Sequence, residues 1–180
     1  YAPTDYLTLM MMGNYIEKEM DHITFMGMAG TTVRGHFTTK SKGWGDTKIS
    51  ALAKIFNSGS SRAHLNIGLS LPTGSIDNTA TILAPNGTTP RNRMPYGMQL
   101  GTGTYDLHPG ITYSGQKGSW SWGTQYTAEI RLEDENDENY RWGNKHSLST
   151  WGRYEWNDWF GSSLRITGTT QSDINGIDPN

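Results

Sequence analysis

Apolar and polar residues alternate one by one through long segments of this chain. In 119–132, which reads SWSWGTQYTAEIRL, the aromatic and aliphatic residues occupy even positions, with Thr124 the one exception, and Gly or hydrophilic residues occupy the odd positions. Such alternation is typical of a β-strand with two unlike faces, because successive side chains point to opposite sides of a strand. The pattern alone leaves open whether the apolar face meets a protein core or lipid.

Strand patterns recur along the chain, and helical periodicity is almost absent apart from a weak signal around 14–20. The alternation is clearest in 46–56, 62–72 and 104–114. We therefore predict an all-β fold of antiparallel strands in a single domain over 1–180. The seven predicted strands are 5–15, 46–56, 62–72, 104–114, 119–132, 140–156 and 159–169.

The connections between these strands are alternately short and long. The short ones read NSGSS, GQKG and ND, and their Gly, Asn, Asp and Ser residues are typical of hairpin turns. The long ones, about 16–45, 73–103 and 133–139, are polar, and we predict them to be loops. Short turns at one end and long loops at the other are typical of an outer-membrane β-barrel.

Aromatic residues cluster near the ends of the predicted strands. They fall into two groups, one near the short turns and one at the long-loop ends. The long-loop group consists of Tyr15, Trp44, Tyr105, Tyr140 and Trp142. Two aromatic belts separated by aliphatic residues are typical of the two interfaces of a membrane. The predicted membrane-interface aromatics near the short turns are Phe56, Tyr113, Trp120, Trp122, Tyr154, Trp156, Trp159 and Phe160.

Charged residues follow the opposite parity. The apolar parity is nearly free of charge, which matters because Lys or Arg facing lipid at mid-depth costs about 2–4 kcal/mol. A soluble β-sandwich or lipocalin-like barrel would place the same charges in bulk water, so that alternative stays open. In the membrane interpretation the candidate lumen and selectivity residues are Lys48, Arg62, His64, Asp106, His108, Glu129, Arg131, Arg153, Glu155 and Arg165.

The composition excludes several kinds of site. A formal net charge of −2 gives no electrostatic basis for binding nucleic acid. The absence of Cys excludes thiolate metal sites, thiol nucleophiles and disulfides. No stretch approaches the roughly 18 apolar residues of a transmembrane helix.

Motifs for catalysis are missing. The sequence contains no G-x-S-x-G, no H-E-x-x-H and no P-loop, so we predict neither an enzyme nor a cofactor. His64 and His108 share the polar parity with Asp106 and would form a small cluster if their strands pair. No metal site is predicted; the weak alternative is a soft-ligand site for Cu(I), since thioethers suit that ion. Its residues would be Met20, His22, Met26 and Met28.

Longer motifs resemble one bacterial family. They read YAPTDYLTLM, SKGWGDTKI, LNIGLSLPTGSID, RMPYGMQLGTGTYDLHPGITYSGQKGSWSWG and WNDWFGSSLRI. The chain is similar through them to outer-membrane β-barrels known as transporters or as MetA-pathway of phenol degradation proteins. The resemblance implies a transmembrane barrel in the outer membrane of a Gram-negative bacterium. Because seven strands is an odd number and such barrels have even numbers, we expect the chain to be part of a barrel, incomplete at both ends.

The function expected from this resemblance is a passive channel or transporter for small solutes, apolar or aromatic ones included. Its partners would be outer-membrane lipid, lipopolysaccharide and a small-molecule solute, with no nucleic acid. Two alternatives stay open. One is a non-transporting structural or surface-interaction barrel, and the other is a soluble β-barrel carrier of an apolar ligand.

Overall fold

The computed structural model describes residues 1–27 and 30–176, and β-strands dominate them. One 3₁₀ turn, Tyr96–Met98, interrupts the strands. The strands are β1 (Leu7–Met12), β2 (Tyr15–Phe25), β3 (Val33–Trp44), β4 (Thr47–Asn57), β5 (Ser61–Leu71), β6 (Thr79–Thr81), β7 (Arg91–Arg93), β8 (Asp106–Lys117), β9 (Trp120–Arg131), β10 (Tyr140–Arg141), β11 (Lys145–Asn157), β12 (Phe160–Gln171) and β13 (Asn175–Gly176).

Seven strands form one large sheet in the order β1-β4-β5-β8-β9-β11-β12. Every neighbouring pair in this sheet is antiparallel. Each of the seven predicted strands corresponds to one member of the sheet, so the predicted all-β antiparallel fold is confirmed. Strands β1 and β12 are its edges, and within the described part of the chain they are not paired with each other.

The large sheet is strongly curled. Met10 on β1 and Lys145 on β11 line the same cavity, although five strand spacings separate their strands in the sheet order. In a flat sheet those strands would lie about 24 Å apart, because neighbouring strands are about 4.8 Å apart. The curl gives the sheet an inner and an outer face.

The strand register sorts the side chains onto these two faces. Leu65 lies opposite Ile111, Ile111 opposite Tyr126, and Tyr126 opposite Leu148, so one apolar row crosses four strands. We call this side the apolar face. The next row belongs to the opposite side, which we call the polar face, and its members are His64, Thr112, Gln125, Ser149 and Thr167.

Most of the segment 16–45, predicted to be a loop, is instead a two-stranded antiparallel ribbon of β2 and β3. The weak helical signal around 14–20 also falls mostly on β2. The ribbon is held by cross-strand polar pairs, among them Lys40 with Glu19 at 2.9 Å and Thr38 with Asp21 at 2.7 Å. Such pairs stabilise two strands without apolar alternation, which explains why the pattern did not indicate them.

The predicted strand 140–156 is broken in two. β10 pairs with β13, whereas β11 belongs to the large sheet. Between them the Asn144 side chain accepts a hydrogen bond from the Arg131 backbone N–H at 3.0 Å, which interrupts the backbone ladder. Gly143 packs directly against the Ser172 carbonyl, where a side chain would not fit.

The long connection 72–105, which we call the strap, closes one end of the curled sheet. β6 and β7 form a small hairpin within it. Gln99 anchors its interior, because the amide donates to the Met94 carbonyl at 2.7 Å and accepts from the Asn78 N–H at 2.9 Å. Four of the five most deeply buried apolar residues lie on the strap or beside it rather than within the sheet. The five are Met94, Met98, Leu100, Ala128 and Tyr140.

Candidate functional site

Two adjoining cavities lie against the polar face, and strap residues line the second of them. The first has a volume of about 260 Å³ and the second about 230 Å³. They share Lys48, His108 and Glu129 as lining residues, so we treat them together as the polar cavity. The curl of the sheet creates this space, because six strands of the large sheet contribute to its walls. They are β1, β4, β5, β8, β9 and β11.

A buried ion pair forms one wall of the polar cavity. Asp106 on β8 lies opposite Arg131 on β9, and their side chains are in direct contact. Asp106 is only 1% exposed and Arg131 is 8% exposed. Two hydroxyls also donate to the carboxylate, Thr104 at 2.7 Å and Thr102 at 3.1 Å. The full set of donors compensates for removing the carboxylate from water.

Glu129 connects this pair to β11. One carboxylate oxygen lies 3.4 Å from Arg131 Nη2, and the other lies 3.7 Å from Lys145 Nζ. Asp106, Arg131, Glu129 and Lys145 therefore form a chain of alternating charge along the cavity wall. Each carboxylate in this chain has a basic partner.

The strap is fastened to the sheet by Asp46, which directly precedes β4. The Asp46 carboxylate accepts hydrogen bonds from the Gly74 N–H at 2.9 Å and the Thr102 N–H at 2.8 Å. It therefore holds the two ends of the strap together. Gly74 and Gly101 lie in backbone contact at this point, where a side chain would not fit.

The ribbon covers the strap from the other side. Lys18 donates hydrogen bonds to the Gly97 carbonyl at 3.0 Å and the Gln99 carbonyl at 2.6 Å. Ser41 donates to the Met98 carbonyl at 2.6 Å. Burial lowers the pKa of the Lys18 ammonium from its ordinary value of 10.5. Lys18 thus connects the ribbon, the strap and the edge of the polar cavity.

The ten candidate lumen residues all lie on the polar face, but they separate into two groups. His64 is half-buried and lies opposite Thr112 on β8. His108 is four residues from Thr112 along that strand, which is about 13 Å, so the two histidines do not form a cluster. Arg62, Arg153 and Glu155 are exposed near the short turns, and Arg165 is exposed in the middle of β12. The group around the polar cavity consists of Lys48, Asp106, His108, Glu129 and Arg131.

The predicted interface aromatics lie on the sheet near its short turns. Trp120 is 58% exposed, and its ring is 4.7 Å from that of Tyr154 between centroids. Tyr154 in turn contacts Trp156 at 4.6 Å. These rings border a shallow groove of about 750 Å³ that continues over Leu164 and Ile166 on the apolar face. Tyr154 is half-buried, and the exposed members of the set are Phe56, Tyr113, Trp120, Trp122, Trp156, Trp159 and Phe160.

The methionine-rich segment lies on the ribbon, away from the polar cavity. His22 Nε2 is 2.9 Å from the Thr39 hydroxyl, and the ring stacks on Phe37 at 4.5 Å. Met20 and Met26 are exposed, and Met28 lies outside the described residues. Among the described residues, no three His, Cys, Asp or Glu side chains are grouped closely enough to hold a metal ion.

Sequence reasoning did not single out several residues of the site. Asp46 has the polar parity of the predicted strand 46–56, but parity does not indicate its contacts with the strap. Lys18 lies on the ribbon and carries no parity signal. Lys145 follows the polar parity and was detectable in that way. Met10 and Met12 reach the cavity from β1, where both parities are apolar and the pattern gives no preference.

Comparisons with known proteins add no assignment. No helix in the described residues is long and apolar enough to span a membrane. Neither a scan against models of protein families nor a search of curated proteins found a match to this chain.

Proposed function

We propose that this chain forms the wall of a transmembrane β-barrel in a Gram-negative outer membrane and that the polar cavity belongs to a passive path for small solutes. The observation that carries the proposal is the inverted burial of the sheet. Leu148 on the apolar face is 54% exposed, whereas Asp106 and Arg131 on the polar face are buried. A water-soluble sheet buries its apolar face, and a membrane barrel presents that face to lipid.

Strand length supports the same proposal. Apart from β1, the strands of the large sheet have 11–13 residues, whereas a strand needs about 9–11 residues to cross a bilayer. From Trp120 to Ile130 the apolar face of β9 extends about 33 Å along the strand. With a strand tilt of about 40°, this span covers about 25 Å of membrane depth, the usual height of the apolar band.

The connections support an orientation. The turns β4–β5, β8–β9 and β11–β12 are short, and the exposed aromatic rings lie at this end of the sheet. The ribbon and the strap lie at the other end. In bacterial barrels the short turns face the periplasm and the long loops face outward. We therefore place the polar cavity and its strap toward the external mouth.

The lining of the cavity favours a hydrophilic path. Four acidic and basic side chains, Asp106, Arg131, Glu129 and Lys145, line it within one chain of contacts. Such a wall suits hydrated or polar solutes and disfavours the soluble carrier of an apolar ligand, because desolvating charges without compensation is costly. The sequence motifs that resemble outer-membrane transporters or MetA-pathway of phenol degradation proteins support the same proposal.

Barrel closure completes the proposal. Among the described residues β12 has no strand partner along its outer edge, and β1 has only the hydrogen bonds that Leu9 makes with Tyr1 and Leu7 with Thr4. In hydrocarbon each unsatisfied backbone group costs several kcal/mol, so these edges require further strands as partners. The functional barrel is therefore larger than the seven-stranded sheet.

Two measurements on full-length protein purified in detergent test this function. We expect different migration of boiled and unboiled samples in SDS gels, because folded barrels resist SDS, and stepwise conductance in planar bilayers. Folding in SDS without conductance would favour the non-transporting structural barrel. A protein that stays soluble without detergent and migrates identically with and without boiling would overturn the membrane assignment.

A further inference from the structure

Two cations that line the polar cavity, Lys18 and Lys48, make no ion-pair contact among the described residues, and Lys18 is engaged by carbonyls of the strap. Lys48 lines both parts of the cavity and is half-buried, yet no carboxylate among the described residues lies within 4.0 Å of its ammonium group. The nearby carboxylates are already engaged, since Asp106 contacts Arg131, and Glu129 lies between Arg131 and Lys145. The cavity therefore has one positive charge more than its acidic groups balance.

A second residue that lines the cavity, His108, has a polar atom that is unpartnered among the described residues. His108 Nε2 is inaccessible to solvent and has no hydrogen-bond partner in the described part of the chain. Buried ring nitrogens normally have a partner, because an unsatisfied donor or acceptor costs free energy. His108 and Lys48 both line the two adjoining parts of the cavity. In the tautomer with hydrogen on Nε2, both groups are donors.

Two methionines on the neighbouring strand β1 form an apolar part of the wall next to Lys48. Met10 lies opposite Ser50 and Met12 lies opposite Lys48, so both methionines are on the polar face although they are uncharged. Their thioether chains are flexible and adapt to small apolar groups. The part of the polar cavity that these methionines line has a volume of about 260 Å³, below the usual range for drug-sized ligands, so this part suits a smaller molecule.

We propose that the polar cavity is a binding site for a small monocarboxylate with a short apolar body. The carboxylate accepts hydrogen bonds from the Lys48 ammonium and from His108 Nε2–H, and the body lies against Met10 and Met12. Charge-assisted hydrogen bonds are the strongest polar contacts available to such a ligand. This inference rests on the proposed function and deepens it, because it assigns a solute class to the path.

Isothermal titration calorimetry of the full-length protein in detergent tests the site, with butyrate as the probe. Acetate provides the carboxylate without the longer body, and butyramide provides the body without the charge. We expect saturable binding in the order butyrate, acetate, butyramide. Absence of saturable butyrate binding would overturn the proposal. Equal affinities for acetate and butyrate would overturn the role of the methionine wall.

Substitutions on one strand separate the site from general charge. Lys48→Gln should weaken butyrate binding by about tenfold or more, because a hydrogen bond to a charged group contributes that much. Lys54→Gln is the matched control, since Lys54 lies on β4 with the same parity but is exposed near Tyr6. His108→Gln keeps a donor and should retain more affinity than His108→Leu. Equal losses in Lys48→Gln and Lys54→Gln would contradict the site.

The two proposals fail in different ways. Butyrate binding without conductance would reject the channel and retain the carboxylate site. Conductance without butyrate binding would retain the channel and reject the site. In each variant the boiled and unboiled gel pattern shows whether the barrel is folded, so a loss of binding by misfolding is recognised as such.

Discussion

Asp106 and Arg131 face each other across β8 and β9 and form an ion pair that is buried where the strap meets the sheet. Two threonine hydroxyls complete the coordination of the carboxylate. Burying a charge costs desolvation free energy, and attraction to the partner charge offsets that cost. If the partner is removed, the cost remains without the compensating attraction. The pair therefore connects the stability of the sheet to the presence of the strap.

Asp106→Asn should destabilise the protein by up to about 3–5 kcal/mol, because it removes the nearer carboxylate of the buried Arg131 guanidinium and leaves only Glu129, at 3.4 Å, as its counter-charge. Urea unfolding of the protein in lipid vesicles measures the change. The exposed pair Arg153 and Glu155, 2.9 Å apart, provides the control. Glu155→Gln should cost less than about 1 kcal/mol, as is usual for surface pairs. Similar losses in both variants would contradict the different burial of the two pairs.

Neighbouring residues on β11 test which face meets lipid. Leu148→Arg places a cation on the apolar face at mid-sheet and should destabilise the barrel in vesicles by about 2–4 kcal/mol. Ser149→Arg places the same cation on the polar face and should change stability by less than about 1 kcal/mol. If water bathed the apolar face, Leu148→Arg would be nearly neutral, because surface substitutions usually change stability by about 0.5 kcal/mol or less.

Trp151 lies over Gly123 on the polar face, in the space that a side chain at position 123 would occupy. Gly123→Ala should therefore displace the ring and cost about 1–3 kcal/mol, as overpacking does. Gly152→Ala is the matched control, because no atom within the described structure lies within 4 Å of a Cβ at that position. Urea unfolding should show a clear loss for the first variant and little change for the second. The opposite ranking would argue against this contact.

Removal of the Asp46 carboxylate should loosen the strap. Asp46→Ala leaves the Gly74 and Thr102 N–H groups without their acceptor, so the two ends of the strap lose their common contact. We expect faster tryptic cleavage after Arg91, within the strap. Asp77→Ala is a control on the strap itself, because that carboxylate is exposed and accepts a hydrogen bond from Ser75, two residues away on the same segment. Equal cleavage rates in both variants would reject the fastening role of Asp46.

Strand pairing in the large sheet could be predicted because its pattern is simple. Alternation places Leu65, Ile111 and Tyr126 on one side, and the structure pairs them across three strands. The ribbon could not be predicted in this way, because Glu19 and Lys40 contribute through a cross-strand ion pair rather than through apolar parity. Local pattern reports which face a residue occupies, but it does not report polar partners distant in sequence.

The candidate site could be predicted only in part. Parity places Arg131 and Arg153 on the same face, yet one is buried in an ion pair and the other is exposed. The difference arises from the strap, whose position depends on Asp46 and on contacts between residues far apart in the sequence. Which residues are buried at the polar cavity therefore depends on tertiary contacts and cannot be predicted from sequence alternation alone.

The exposed edge strand β12 has a consequence for handling the protein outside a membrane. Its twelve residues carry one charged side chain, Arg165, and no proline, and every residue of the strand is exposed. An extended, nearly uncharged row of free backbone donors and acceptors is a template for adding strands from other molecules. In dilute buffer without detergent, the isolated chain should consequently assemble edge to edge into β-rich fibrils, and this growth should begin at β12.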